Sequence, residues 1–93
     1  MVEDVTAAEL DDILRTEPRL VMIEFWSDGC APCRRLRPDL ERLAEQEGQP
    51  CRILAVNAGT EMAAAERYHV RSQPTLVFVK SGVELHRLHA GAL

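Results

Sequence analysis

The chain has 93 residues and a formal net charge of −4, long enough to bury a modest core and short of the size at which domains split. An acidic balance argues against nucleic acid as a partner, because phosphate recognition wants a basic surface. No apolar run reaches the length of a membrane span. The start, Met1-Val2-Glu3-Asp4, is acidic and leads into a capped helix rather than a secretion signal. With three cysteines and no export signal, a reducing cytoplasm is the expected compartment; a domain cut from an exported precursor reads the same way.

Val2–Val5 is the expected first strand. Thr6 and Glu9 then form a capping box, with Thr6 as N-cap and Val5 and Leu10 able to staple around it. Leu10, Ile13 and Leu14 give that helix one apolar face, and Pro18 stops its continuation. Leu20–Trp26 reads as a buried strand interrupted by Glu24, which alternation puts on the face of Met22 and Trp26. After Pro32 the spacing turns helical, with Leu36, Leu40 and Leu43 at i, i+4 and i+7; Pro38 bends this helix and Gly48 is its expected C′ residue. Ile53–Val56 is a short buried strand, and Cys51 before it reads as a boundary hydrophobe, with a regulatory or dimer-forming thiol as the alternative. Thr60 is the expected cap of a surface helix running through Met62 to about Tyr68. Thr75–Lys80 and Val83–His89 are strands joined by a Ser81-Gly82 hairpin turn. With no repeat, low-complexity tract or linker, these elements predict one α/β domain over residues 1–93.

The chemistry sits in Trp26-Ser27-Asp28-Gly29-Cys30-Ala31-Pro32-Cys33, where a strand gives way to a helix. Cys30 stands at or just before the helix start, where unpaired N–H groups and the positive end of the helix dipole favour a thiolate. Cys33 lies one turn further in, within disulfide reach. A thiolate beside a second thiol is the minimum equipment for reversible dithiol–disulfide exchange. Two other readings of such a pair remain: half of a zinc site, or a structural disulfide. Zinc needs four ligands; beyond Cys51 the chain offers His69, His86 and His89, of which only His86 and His89 are spaced as a pair, in a strand-like segment. All three histidines are expected on a solvated surface. Arg34, Arg35 and Arg37 are expected to form a solvated helix face whose charge helps hold a thiolate. Glu24, a carboxylate desolvated near the dithiol, is a candidate general acid/base for Cys33, acting through water; the alternative is a structural Glu whose tip reaches a wet crevice.

The pattern resembles the thioredoxin family over nearly the whole chain. The residues that carry the match are Phe25-Trp26 leading into Cys30-Ala31-Pro32-Cys33, Pro38, the tract Val70-Arg71-Ser72-Gln73-Pro74-Thr75, and the terminal Gly91-Ala92-Leu93. The resemblance implies a thioredoxin-like fold, a central mixed β-sheet flanked by helices, and a thiol–disulfide oxidoreductase that reduces protein disulfides. In that scheme Cys30 attacks the substrate, Cys33 resolves the mixed disulfide, and the proline matching Pro74 is cis and faces the dithiol, with the backbone of Gln73 holding the substrate strand. Trp26, Gly29, Ala31 and Pro32 complete the substrate-binding surface, Trp26 chiefly as a packing wall. Neither a cofactor nor a metal is required, and reducing equivalents come from a thioredoxin-reductase-type donor. The position of Glu24 is a buried aspartate in the family, and the lysine that partners it on the next strand is replaced by Ala55. Gly29 stands where an aromatic residue is usual, Ala31 replaces a glycine, and Gln73 replaces a branched aliphatic, which narrows the expected partner set. The family's last helix is absent, so an apolar patch near Leu76–Val79 and the final hairpin is expected, covered by a second copy of the chain as a homodimer or by exchange of an element between two copies; the alternative is a one-chain domain whose last helix has been trimmed. The rival readings are a binding module with idle cysteines and a disulfide oxidase or isomerase.

Overall fold

Alternation along the central strands decides which side of the sheet each helix covers. The computed structural model describes residues 1–90, so Gly91-Ala92-Leu93, quoted for the resemblance, lies outside the described residues. In chain order the elements are β1 (Glu3–Asp4), α1 (Ala7–Thr16), β2 (Leu20–Trp26), α2 (Ala31–Glu45), β3 (Cys51–Asn57), α3 (Met62–Arg67), β4 (Thr75–Lys80) and β5 (Val83–His89). The sheet order is β1-β3-β2-β4-β5. The first three strands in that order run parallel, and β4 and β5 are each antiparallel to their neighbour. This is the mixed sheet expected from the resemblance.

Val21, Ile23 and Phe25 of β2 point to one face, where they meet Leu54, Val56, Val77 and Val79 under Leu10 of α1 and Ala64 of α3. Met22 points to the other, with Ile53, Ala55 and Leu76, and there α2 covers the sheet through Leu36, Leu40 and Leu43. Burial of each large side chain in these two layers contributes about 1.5–3 kcal/mol. The capping box of α1 forms as expected: Thr6 Oγ1 accepts from Glu9 N, and Glu9 returns a carboxylate oxygen to Thr6 N.

Three expectations are corrected. Gly48 is not the C′ residue, since α2 is capped at Gln46. It takes φ +77° two residues on, inside a turn closed by Gln49 N donating to Gln46 O; that left-handed position suits glycine. Thr60 does not cap α3, which starts after Glu61 without a side-chain cap. Asn57 organises this corner instead: its carbonyl accepts from Thr60 N and Glu61 N, and its Oδ1 accepts from Gly59 N. Glu61 turns away to accept from Ala7 N in the first turn of α1. Finally, no apolar patch opens at Leu76–Val79. Leu76, Val77 and Val79 are buried and Phe78 is half-buried, because the alternating residues of β4 are covered by α2 on one face and by α1 and α3 on the other. The large apolar side chains the hairpin exposes are Val83 and Leu85 of the outer strand.

Candidate active site

Trp26 ends β2 and the chain turns through Ser27-Asp28-Gly29, where Gly29 adopts φ +79°. A residue with a Cβ resists that conformation, so glycine is the natural occupant of the turn. Cys30 follows as the N-cap of α2 in extended backbone, its N–H donating to Ser27 O at 3.3 Å. With Pro32 in the first turn, one amide that would be orphaned there is absent from the start. Cys33 N–H points back at Cys30 Sγ, 3.2 Å away. The sulfur thus takes the place of a capping oxygen, and the helix start favours negative charge on it. Cys30 and Cys33 are joined by a disulfide with Cα atoms 5.3 Å apart, inside the ordinary range. Cys30 is half-buried while Cys33 is only 4 % exposed.

The loop before β4 closes over this pair. The Gln73–Pro74 peptide is cis, and the carbonyl oxygen of Gln73 lies 3.6 Å from Cys30 Sγ. Ser27 Oγ donates to Gln73 Oε1 at 3.4 Å, tying the two loops together. A shallow groove of about 350 Å³ runs beside them between Pro32, Arg35 and Pro74. Pro32 is exposed at the tip, Ala31 is half-buried, and Pro74 is buried.

Behind the disulfide a second cleft of about 480 Å³ reaches from Gly29 past Trp26 and Cys33 to Glu24. Glu24 is 0 % exposed, opposite Ala55 on β3 and Leu76 on β4. Burial pushes its carboxyl above the ordinary value, and the Arg37 guanidinium pulls it part of the way back. Arg37 Nε lies 3.2 Å from Glu24 Oε1, but neither carboxylate oxygen has an aligned hydrogen-bond donor.

Arg37 corrects the expectation of a solvated arginine face. Arg34 and Arg35 are exposed. Arg37 folds inward over the Trp26 ring, 5.7 Å from its centre, and reaches Asp4 of β1 at 3.3 and 3.4 Å. By sequence, Arg37 stands only as one of three arginines near the dithiol, and Asp4 is not singled out. The available signal was a strand carboxylate facing Ala55, together with an arginine one helical turn beyond Cys33. The histidines are all exposed, as expected, with His86 against Phe78. Cys51 is a half-buried free thiol against the α2 layer, and burial pushes its thiol up, which keeps it a poor nucleophile.

Residues 1–92 match the family model described as Thioredoxin. The chain belongs to the thioredoxin family. It is 40% identical over 88 residues to a thioredoxin of Chlamydia caviae, covering 95% of this chain and 83% of that one. It is 34% identical over 87 residues to thioredoxin 1 of Chlorobaculum tepidum, covering 94% and 85%. Among solved structures, Fasciola hepatica thioredoxin superposes with a TM-score of 0.84 at 34% identity, over 92% of this chain and 84% of that one. Family membership and the joined Cys30–Cys33 pair make the chain a thiol–disulfide oxidoreductase. Among the described residues no helix is long and apolar enough to cross a membrane.

Proposed function

We propose that the chain acts as one domain that reduces disulfides of protein substrates in a reducing cytoplasm and is itself re-reduced by a thioredoxin-reductase-type donor. The observation that carries this reading is the inequality of the two sulfurs. Cys30 is half-buried, its Sγ capped by the Cys33 amide and beside the Gln73 carbonyl; Cys33 is almost wholly buried. Cys30 thiolate attacks one substrate sulfur, and the other leaves with its bonding pair and takes up a proton. Cys33, once deprotonated, attacks Cys30 Sγ and expels the remaining substrate thiolate. Two electrons and two protons pass to the substrate, and the Cys30–Cys33 disulfide remains.

Glu24 receives the Cys33 proton through the cleft that both line, a role favoured by its burial and raised proton affinity. The extended substrate segment lies along Gln73 and Pro74, with Gly29, Ala31 and Pro32 as the facing edge and Trp26 as its wall. Reduction of insulin by catalytic amounts of protein tests the assignment. Cys30→Ser is expected to abolish turnover. Cys33→Ser is expected to accumulate a mixed disulfide through Cys30, because attack survives and resolution does not. Trapping through Cys33 in the Cys30→Ser variant, with none through Cys30, reverses the roles.

A further inference from the structure

Glu24 is fully buried among strand neighbours that carry no charge, Ala55 on β3 and Leu76 on β4. A carboxylate in that setting needs a counter-charge or holds on to a proton. The cation comes from α2. Arg37 stands four residues beyond Cys33, on the same helix face, and brings Nε to 3.2 Å from Glu24 Oε1. Its terminal nitrogens reach Asp4 of β1 at 3.3 and 3.4 Å, and Trp26 lies beneath the guanidinium. The cation is therefore shared between a buried carboxylate and an exposed one. Other charges also face this site. Glu41 of α2 is near and accepts from Val2 N at 2.8 Å, and Asp28 and Arg34 stand on the rim of the cleft that Cys33 also lines.

We propose that Arg37 is a positioning residue of the dithiol reaction: fixed by Asp4 and Trp26, it supplies the counter-charge that lets the buried Glu24 carboxylate take the proton of Cys33. This rests on Glu24 being the Cys33 proton acceptor. In the step, Glu24 carboxylate accepts the proton from Cys33 Sγ. The thiolate so formed attacks Cys30 Sγ, the bond from Cys30 to the substrate sulfur breaks, and that sulfur leaves with the electron pair and takes a proton from solvent. Asp4 acts in two opposite ways. It anchors the guanidinium, and it also draws the cation's charge away from Glu24.

The test uses two readouts on the full chain. One is the titration of Glu24 in the reduced protein, followed by carboxyl carbon NMR. The other is the pH profile of nitrothiobenzoate release by Cys33 from a mixed disulfide preformed on Cys30. Arg37→Leu is expected to move both midpoints upward by about one pH unit or more, slowing release near neutrality about tenfold. Arg37→Lys, which keeps the charge, is expected to restore most of the shift. Asp4→Asn, which keeps an oxygen to anchor the guanidinium and removes the competing charge, is expected to move both midpoints downward. A Glu24 titration unmoved by Arg37→Leu, while Glu24→Gln still alters the release profile, overturns the role of Arg37 alone. A release profile unchanged by Glu24→Gln overturns the Glu24 reading, and the part of Arg37 in the reaction falls with it. Equal slowing of Cys30 attack and of release in both Arg37 variants means general damage and also counts against the proposal.

Discussion

At Glu24 a single carboxyl sits where the strand pattern calls for an apolar side chain, and its environment prescribes a pH dependence of stability. Burial raises its proton affinity in the folded state above that of the unfolded chain, with Arg37 opposing in part. The folded form therefore binds the proton more tightly. The associated stabilisation is complete at pH below the unfolded carboxylate value and is lost as pH rises through the raised folded value. Glu24→Gln keeps the shape and removes the titration. Denaturant unfolding of the oxidised protein from acid to neutral pH is expected to show wild type losing stability relative to Glu24→Gln as pH rises. Parallel curves would mean that Arg37 fully compensates the buried charge.

At the level of elements, the end of α1 is joined to the sheet by charge as well as by packing. Arg52 of β3 donates to both oxygens of Glu3 on β1 at 2.8 Å and reaches Glu17, the C-cap of α1, at 3.3 Å. Arg19 holds Glu17 as well, through Nε and a terminal nitrogen. Together they hold the Glu17 carboxyl down to about 2, Arg19 having the larger effect. The sign is opposite to that at Glu24. Stability from Glu17 is present above the unfolded carboxylate value and lost as pH falls toward about 2. Glu17→Gln is expected to lower the unfolding midpoint near neutrality and to make no difference at the acid end. A loss that persists unchanged into acid would assign the effect to packing of the side chain rather than to its charge.

Over the whole molecule the net charge is −4, yet the surface around the dithiol is locally basic. Arg15, Arg19, Arg42, Arg52, Arg67 and Arg87 each pair with a carboxylate. Arg34 and Arg35 beside Cys33, and Arg71 in the loop before Gln73, are exposed. Asp28 at the cleft rim, held by Asn57 at 3.3 Å, offsets part of this charge. A disulfide peptide flanked by Asp and Glu is expected to be reduced about tenfold faster than one flanked by Lys at low ionic strength. The gap should close as salt screens the exposed arginines. Equal rates for the two peptides at low salt would show that these arginines do not steer substrates.

Local chemistry determined much of this protein from sequence alone. The spacing of Cys30 and Cys33 at a strand-to-helix junction, the Thr6–Glu9 capping box and the alternation that puts Glu24 on the face of Met22 each depend on residues a few positions apart. Backbone geometry carries such signals without help from the rest of the fold. The tertiary structure decided what depends on distant segments meeting. Thr60 has the chemistry of a cap, but Asn57 is better placed for that corner. Gly48 has the freedom of a C′ residue, but the chain spends that freedom in the next turn. Leu76 and Val79 read as part of an open patch, but α2 covers the first and α1 and α3 cover the second. Arg37 reads as one of three solvated arginines because nothing adjacent shows that Glu24 and Asp4, separated by an entire helix in sequence, stand on either side of Ala55 across three parallel strands. Long-range charge pairing is set by sheet order and register, and those exist only once the strands have come together.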